Sequence, residues 1–346
     1  MSPRCGPEGR DVMVGDCVLV TSTSAPVVAD NRPRPGDPLD PDAAISVRGL
    51  VKRYGDRAAV DGLDLDIRRG EIFALLGPNG AGKTTTVEVL EGYRKRDGGD
   101  VRVLGVDPAR GGRRWKGQLG IVLQSGAGDS QLSVRELLTA RASYYGEPRD
   151  PDEVLELVGL TDKAGARGRT LSGGQRRRLD VALGIVGRPR LLFLDEPTTG
   201  FDPEARRQFW ALIRSLRDLG TTMLLTTHYL DEAEALADRV GVISKGRLLV
   251  VEETAALLSR LGERRLAVKF ARRLEGPLPD LAAAKGELSA DGLSFSYVER
   301  PEQPRAAEVL GSLYTAGLPV AEVNIERPRL EDVVLRVLSD SRGAKG

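Results

Sequence analysis

Apolar residues along this chain fall into two kinds of run. Residues 72–76 (IFALL), 191–194 (LLFL) and 223–225 (MLL) are continuously apolar, the pattern of strands buried on both faces of a parallel sheet. Residues 60–67 alternate instead, with Leu63, Leu65 and Ile67 on one side, and residues 45–54 also suit a strand. Elsewhere the apolar positions recur at helical spacing. A helix is predicted over 84–90, and residues 130–187 read as helical, with Leu137/Leu138 and Val154/Leu157/Val158 three and four apart. Asp202-Pro203 is an N-cap followed by proline at the first helical position. The helix it opens carries Phe209, Leu212, Ile213 and Leu216 on one stripe. Strands, helices and more strands in this order predict an α/β domain with a largely parallel sheet.

The pattern changes near both ends. Residues 265–271 and 293–298 alternate like half-buried strands, and 306–314 and 330–338 are short amphipathic helices, so 263–346 is expected to form a small α+β accessory domain. Residues 1–44 show no sustained period, and 30–41 (DNRPRPGDPLDP) hold four prolines. That segment is expected to be a disordered extension, leaving 45–262 as the main domain.

Composition then removes whole classes of chemistry. With 51 Lys+Arg against 50 Asp+Glu, the formal net charge of +1 argues against a broad basic surface, and no nucleic-acid partner is expected. Both cysteines, Cys5 and Cys17, lie in the extension as inert thiols, so the body offers no disulfide, redox pair or zinc site. A single histidine, His228, excludes a His-rich metal cluster. No run of 18 apolar residues exists, and the start lacks a basic stretch followed by an apolar core. A cytosolic location is the expectation.

The strongest chemical signal is the loop Gly77-Pro78-Asn79-Gly80-Ala81-Gly82-Lys83-Thr84 between a buried strand and a helix, a complete G-x-x-x-x-G-K-[ST] pattern. Glycines let backbone N–H groups turn inward around phosphates, Lys83 adds a point charge, and the Thr84 hydroxyl is placed to ligate Mg²⁺. The helix that follows directs its positive end at the same anion. The second signal is the apolar strand ending in Asp195-Glu196. It sets carboxylates at the carboxyl edge of the sheet, where open α/β folds bind ligands. Asp195 suits a Mg²⁺ shell and Glu196 a general base. Alone, two acids after a strand are more often a turn or helix cap; the phosphate loop upstream is what favours the site.

Leu171-Ser172-Gly173-Gly174-Gln175 (LSGGQ), 23 residues before Asp195 and downstream of the phosphate loop, resembles the signature of ABC transporter ATP-binding subunits. Other elements of that family then appear in order. Gln124 (in IVLQS) resembles the Q-loop glutamine, and Gly200-Phe201-Asp202 resembles the D-loop. His228 (in LLTTH) resembles the switch histidine, and Tyr54 the aromatic that stacks on adenine. The match runs almost continuously over 45–255. Phe201 within TTGFDP and the closing RLEDVVL (329–335) are similar to the daunorubicin-resistance type of exporter ATPase.

The resemblance implies an ABC-type P-loop NTPase fold: a mostly parallel core sheet, an antiparallel β subdomain and a helical subdomain. It implies ATP and Mg²⁺ as ligands, with ATP contacts from the phosphate loop through Thr85, from Tyr54 and Gln124, and from Ser172, Gly173, Gly174 and Gln175. Thr84, Gln124 and Asp195 would serve Mg²⁺, and Glu196 and His228 would be catalytic. It implies that the signature binds the γ-phosphate held by a second copy's phosphate loop, so that two chains share two ATP molecules. A separately encoded membrane permease is the further implied partner, with the chain peripheral on the inner face of the cell membrane and the cargo an exported drug, antibiotic or other hydrophobic compound. Alternatives remain on sequence, among them a P-loop binding module that never hydrolyses. A soluble non-transport ATPase of the same family would act on ribosomes or DNA. Tyr54 also reads as a strand-end aromatic and Gln124 as a surface amide, while Arg176-Arg177-Arg178 is expected to be a solvated helix face rather than a phosphate or acidic-lipid contact.

Overall fold

The computed structural model describes residues 32–34, 36–122, 131–261, 264–274, 286–299, 303–326 and 329–343. Strands β1 (Ile45–Tyr54) and β2 (Arg57–Ile67) form an antiparallel hairpin, and Leu63, Leu65 and Ile67 are buried as their alternation predicts. The fully buried β3 (Ile72–Leu76) leads through a glycine-rich turn into α1 (Lys83–Leu90). β4 (Gly98–Val103) adds to the free edge of β1, giving an antiparallel sheet of order β2-β1-β4. After α2 (Arg113–Lys116) and β5 (Leu119–Val122) come three helices, α3 (Val134–Ala142), α4 (Pro151–Leu157) and α5 (Gly173–Ile185). Ser133 caps α3 in a box with Glu136, and Asp150 caps α4 ahead of Pro151.

β6 (Leu191–Asp195), α6 (Pro203–Asp218), β7 (Thr222–Thr227), α7 (Leu230–Leu236), β8 (Arg239–Ser244), β9 (Arg247–Glu253) and α8 (Thr254–Leu261) complete the main unit. Its sheet has the order β5-β6-β7-β3-β8-β9, parallel except for the last pair. β3 is interior, so its two faces look into different layers. Ile72, Ala74 and Leu76 pack with α3 to α7, while Phe73 and Leu75 pack with the antiparallel sheet. β3, β6 and β7 all end at the same sheet edge, which brings the phosphate loop, Asp195 and Thr227 together.

The sequence reading did not resolve β4, β5, β8 or β9 as separate strands. A buried ion pair ties β8 to the chain just ahead of β3. Arg239 on β8 and Glu71 before β3 lie 3.0 Å apart, both buried, with the guanidinium also donating to the Asp66 carbonyl. The described residues ahead of β1 are tied to it: Ala43 and Ala44 are buried, the Asp40 N–H donates to Ser46, and the Arg48 guanidinium donates to the Pro38 carbonyl.

Beyond α8, β10 (Arg264–Phe270), β11 (Glu287–Leu288), β12 (Ser294–Glu299), α9 (Ala306–Thr315) and β13 (Val320–Glu326) build a four-stranded antiparallel sheet with one helix on it. Leu266, Val268, Phe295, Tyr297, Val309 and Leu313 form its core. The last helix, α10 (Leu330–Gly343), leaves this sheet and lays Leu330, Val333 and Val334 into the core of the main unit, against α7 and α8.

Candidate functional site

The turn between β3 and α1 calls for glycine at three positions. Gly80 and Gly82 have φ of 74° and 110°, left-handed values that glycine adopts without strain. A side chain on Gly77 would meet the Ile243 carbonyl at 2.2 Å, and one on Gly82 the Ala59 carbonyl at 2.4 Å. Lys83 is buried at the start of α1, and its ammonium donates across the turn to the carbonyls of Gly77 at 2.7 Å and Pro78 at 3.3 Å. Burial lowers its pKa, against the opposing pull of Glu196 and Asp195. Pro78, Asn79 and Gly80 are exposed and Ala81 is buried; Thr84 is exposed and Thr85 half-buried beside it.

Asp195 closes β6 and accepts a hydrogen bond from the Thr226 hydroxyl of the neighbouring β7. Glu196 follows in a left-handed conformation, φ 46°, unusual for a residue with a Cβ and costing about 1–3 kcal/mol. Its N–H donates to the Thr226 carbonyl at 2.9 Å, and its Oε1 lies 3.2 Å from Nδ1 of His228. The His228 ring sits against Tyr229 with centroids 4.1 Å apart. The structure thus gathers Lys83, Asp195, Glu196 and His228 around one sheet edge: a cation, two carboxylates and an imidazole beside an anion cradle. Such a set has the chemistry to hold a phosphate chain and to accept a proton from water.

The signature forms the N-terminus of α5. Ser172 caps the helix by accepting from the Gln175 N–H at 3.3 Å, while the Gln175 side chain accepts from the Ser172 N–H at 3.1 Å. Ser172 and Gly173 are exposed, with Gly174 and Gln175 half-buried. In the D-loop, Gly200 has φ 81°, Phe201 meets Phe209 edge-on at 5.7 Å, and Asp202 caps α6 through the Ala205 N–H at 2.8 Å. Tyr54, at the end of β1, is exposed, with Arg94 and Lys52 5.3 and 5.6 Å from its ring. Gln124 lies outside the described residues.

One expectation is overturned. Arg176, Arg177 and Arg178 do not form a single solvated face, because Arg177 is buried. Its Nε donates to the Pro197 carbonyl at 2.9 Å and its Nη2 to the Asp195 carbonyl at 3.0 Å, with Asp180 at 3.8 Å. The signal was present: Arg177 sits four residues before Val181 and eight before Ile185, on the apolar stripe of α5. Glu232 on α7 is likewise fully buried close to Thr198 and Thr227, and burial raises its pKa. Glu91, at the end of α1, is pushed up to about 7 by burial and then by Asp195 and Glu88.

Comparison with known proteins agrees with this geometry. Residues 60–199 match the ABC transporter family. The daunorubicin resistance ATP-binding protein DrrA3 of Streptomyces coeruleorubidus is 39% identical across 88% of this chain and 98% of its own length. The Nod factor export ATP-binding protein I of Ralstonia nicotianae is 38% identical across 88% and 96%. Among solved structures, CbiO1 of Clostridium perfringens, part of an ABC transporter complex, superimposes with a TM-score of 0.58 at 29% identity, covering 63% of this chain and 91% of that one.

Proposed function

Because the chain belongs to the ATP-binding subunits of ABC transporters, which hydrolyse ATP to power transport, we propose that it binds ATP with Mg²⁺ between two copies of itself and drives a separately encoded membrane exporter. The observation that carries the catalytic assignment is the 3.2 Å approach of His228 Nδ1 to Glu196 Oε1 at the sheet edge shared with Lys83. Glu196 takes the proton of the attacking water, and His228 holds the glutamate and the γ-phosphate side of the reaction in register. Lys83 and the inward N–H groups of the phosphate loop neutralise the β- and γ-phosphates, and Tyr54 offers its exposed ring to the base.

The Thr84 hydroxyl and the Asp195 carboxylate are hard oxygen donors of the kind Mg²⁺ takes, and the Thr226 hydroxyl orients Asp195 for that task. Held by these two oxygens, Mg²⁺ would supply positive charge to offset that of the phosphates. Ser172 caps α5 and is exposed with Gly173, and Gly174 follows half-buried, so this helix start is available to the γ-phosphate held by a second copy. Each chain then carries two half-sites, and ATP favours the closed dimer through its higher affinity for that form.

No helix of the described residues is long and apolar enough to cross a membrane. In this reading the subunit docks on the cytoplasmic face of a permease, and the names of its relatives support an antibiotic or other hydrophobic compound as cargo. The test is Glu196→Gln. Binding of a fluorescent ATP analogue should stay within about twofold of wild type, while phosphate release falls at least about 100-fold, the usual worth of a general base. Normal turnover by that variant would remove Glu196 from its role.

A further inference from the structure

Arg177 stands where two parts of the proposed machine meet. It belongs to α5, whose first residues offer Ser172 to the nucleotide of a second copy, and lies five residues along, about 7.5 Å down the helix axis. Its guanidinium donates to the carbonyls of Asp195 and Pro197, the residues on either side of Glu196. Glu196 is held between these two fixed points in a left-handed conformation that a free chain would leave.

Stability alone does not account for this arrangement. A buried charge is costly to desolvate, and an apolar side chain of similar volume commonly serves a core as well or better. Asp180 lies 3.8 Å from the guanidinium, and the fully buried Glu232 adds negative charge nearby. An arginine there, with two hydrogen bonds aimed at the backbone on either side of the catalytic base, is a mechanical link. Charge-assisted hydrogen bonds to two carbonyls transmit a helix displacement more faithfully than apolar contact does, because they are short and directional.

We propose that Arg177 is a positioning residue that couples the two ATP sites of the dimer: it carries the docking of α5 on the partner's nucleotide to the Glu196 that serves the chain's own nucleotide. This rests on the composite-site reading given above. ATP at one site sets α5 of the facing chain, and Arg177 of that chain then aligns Glu196 at the other site. Both sites fire well only when both are filled.

The test uses the full chain purified with its membrane partner, comparing wild type, Arg177→Met and Arg177→Lys. Phosphate release is followed against ATP concentration, and binding of a fluorescent ATP analogue is measured separately. Wild type should give a Hill coefficient above 1. In Arg177→Met the coefficient should fall to about 1 and kcat by about 10-fold or more, since misplacing a catalytic group by ~1 Å can cost about 100-fold. Nucleotide affinity should stay within about twofold, and Arg177→Lys, which keeps the charge and some donors, should recover part of both losses. A wild-type coefficient of 1, or an unchanged coefficient in folded Arg177→Met, overturns the coupling; if Arg177→Met does not fold, the same readout on Arg177→Lys decides. Glu196→Gln is the control. If it is inactive while Arg177→Met matches wild type, the coupling fails alone; if it turns over normally, the assignment of the base fails with it.

Discussion

Glu91 belongs to no motif, yet it feels the Asp195 carboxylate. Burial, Asp195 and Glu88 push its pKa up to about 7 from 4.5. A carboxyl raised in this way binds its proton more tightly in the folded chain than in the unfolded one. Its share of stability is therefore complete below about pH 4.5 and is lost as pH rises toward 7. Glu91→Gln, which stays neutral, should escape that loss. In urea unfolding of the nucleotide-free, metal-free chain, the variant should gain on wild type between pH 5 and pH 8, by at most about 3 kcal/mol. Equal differences at the two pH values would contradict the assignment. Residues of this kind explain what the sequence leaves hidden. Gly77 to Thr84, Asp195, Glu196 and His228 stand out in the sequence because the chemistry proposed for them demands fixed types at fixed spacing. Glu91, Glu232 and Thr226 matter through burial and neighbours that only the folded chain supplies.

At the scale of elements, the strands that sequence shows plainly are those with a long apolar or alternating run, β2, β3, β6, β7, β10 and β12. β5 has four residues, and β8 and β9 lie so close along the chain that their two patterns merge. They become strands because β6, β3 and β8 offer them a hydrogen-bonding edge. α10 is legible as a helix, but its partner is not: its amphipathic face fits either the nearby antiparallel sheet or the main unit. Leu330, Val333 and Val334 resolve this by burying among α7 and α8, and the Leu330 N–H is held by the Glu234 side chain at 3.0 Å. Leu330→Ala should then destabilise the nucleotide-binding unit by about 2–4 kcal/mol. The measurement is the midpoint of the unfolding transition that added ATP raises. A wild-type midpoint would show that α10 adds nothing to that unit.

The whole molecule holds, in this reading, two half-sites and no complete one, and that makes a prediction about mixtures. A Ser172→Arg chain keeps its phosphate loop but blocks its signature; a Lys83→Ala chain keeps its signature but loses its grip on phosphate. Alone, each should be near background in phosphate release. Mixed in equal amounts, half of the dimers pair one of each, and each such pair has one site with an intact loop facing an intact signature. Independent sites would recover about a quarter of wild-type activity, half of the dimers at half rate. Coupling through Arg177 lowers that figure, because the chain that hydrolyses has its own α5 facing a disabled loop and its Glu196 lacks the push. Placing Arg177→Met in the Ser172→Arg chain should cost little more, whereas in wild type it should cost about 10-fold. Mixtures that stay at background while both chains fold and bind each other would refute the shared site itself. Recovery to a full quarter would keep the shared site and remove the coupling.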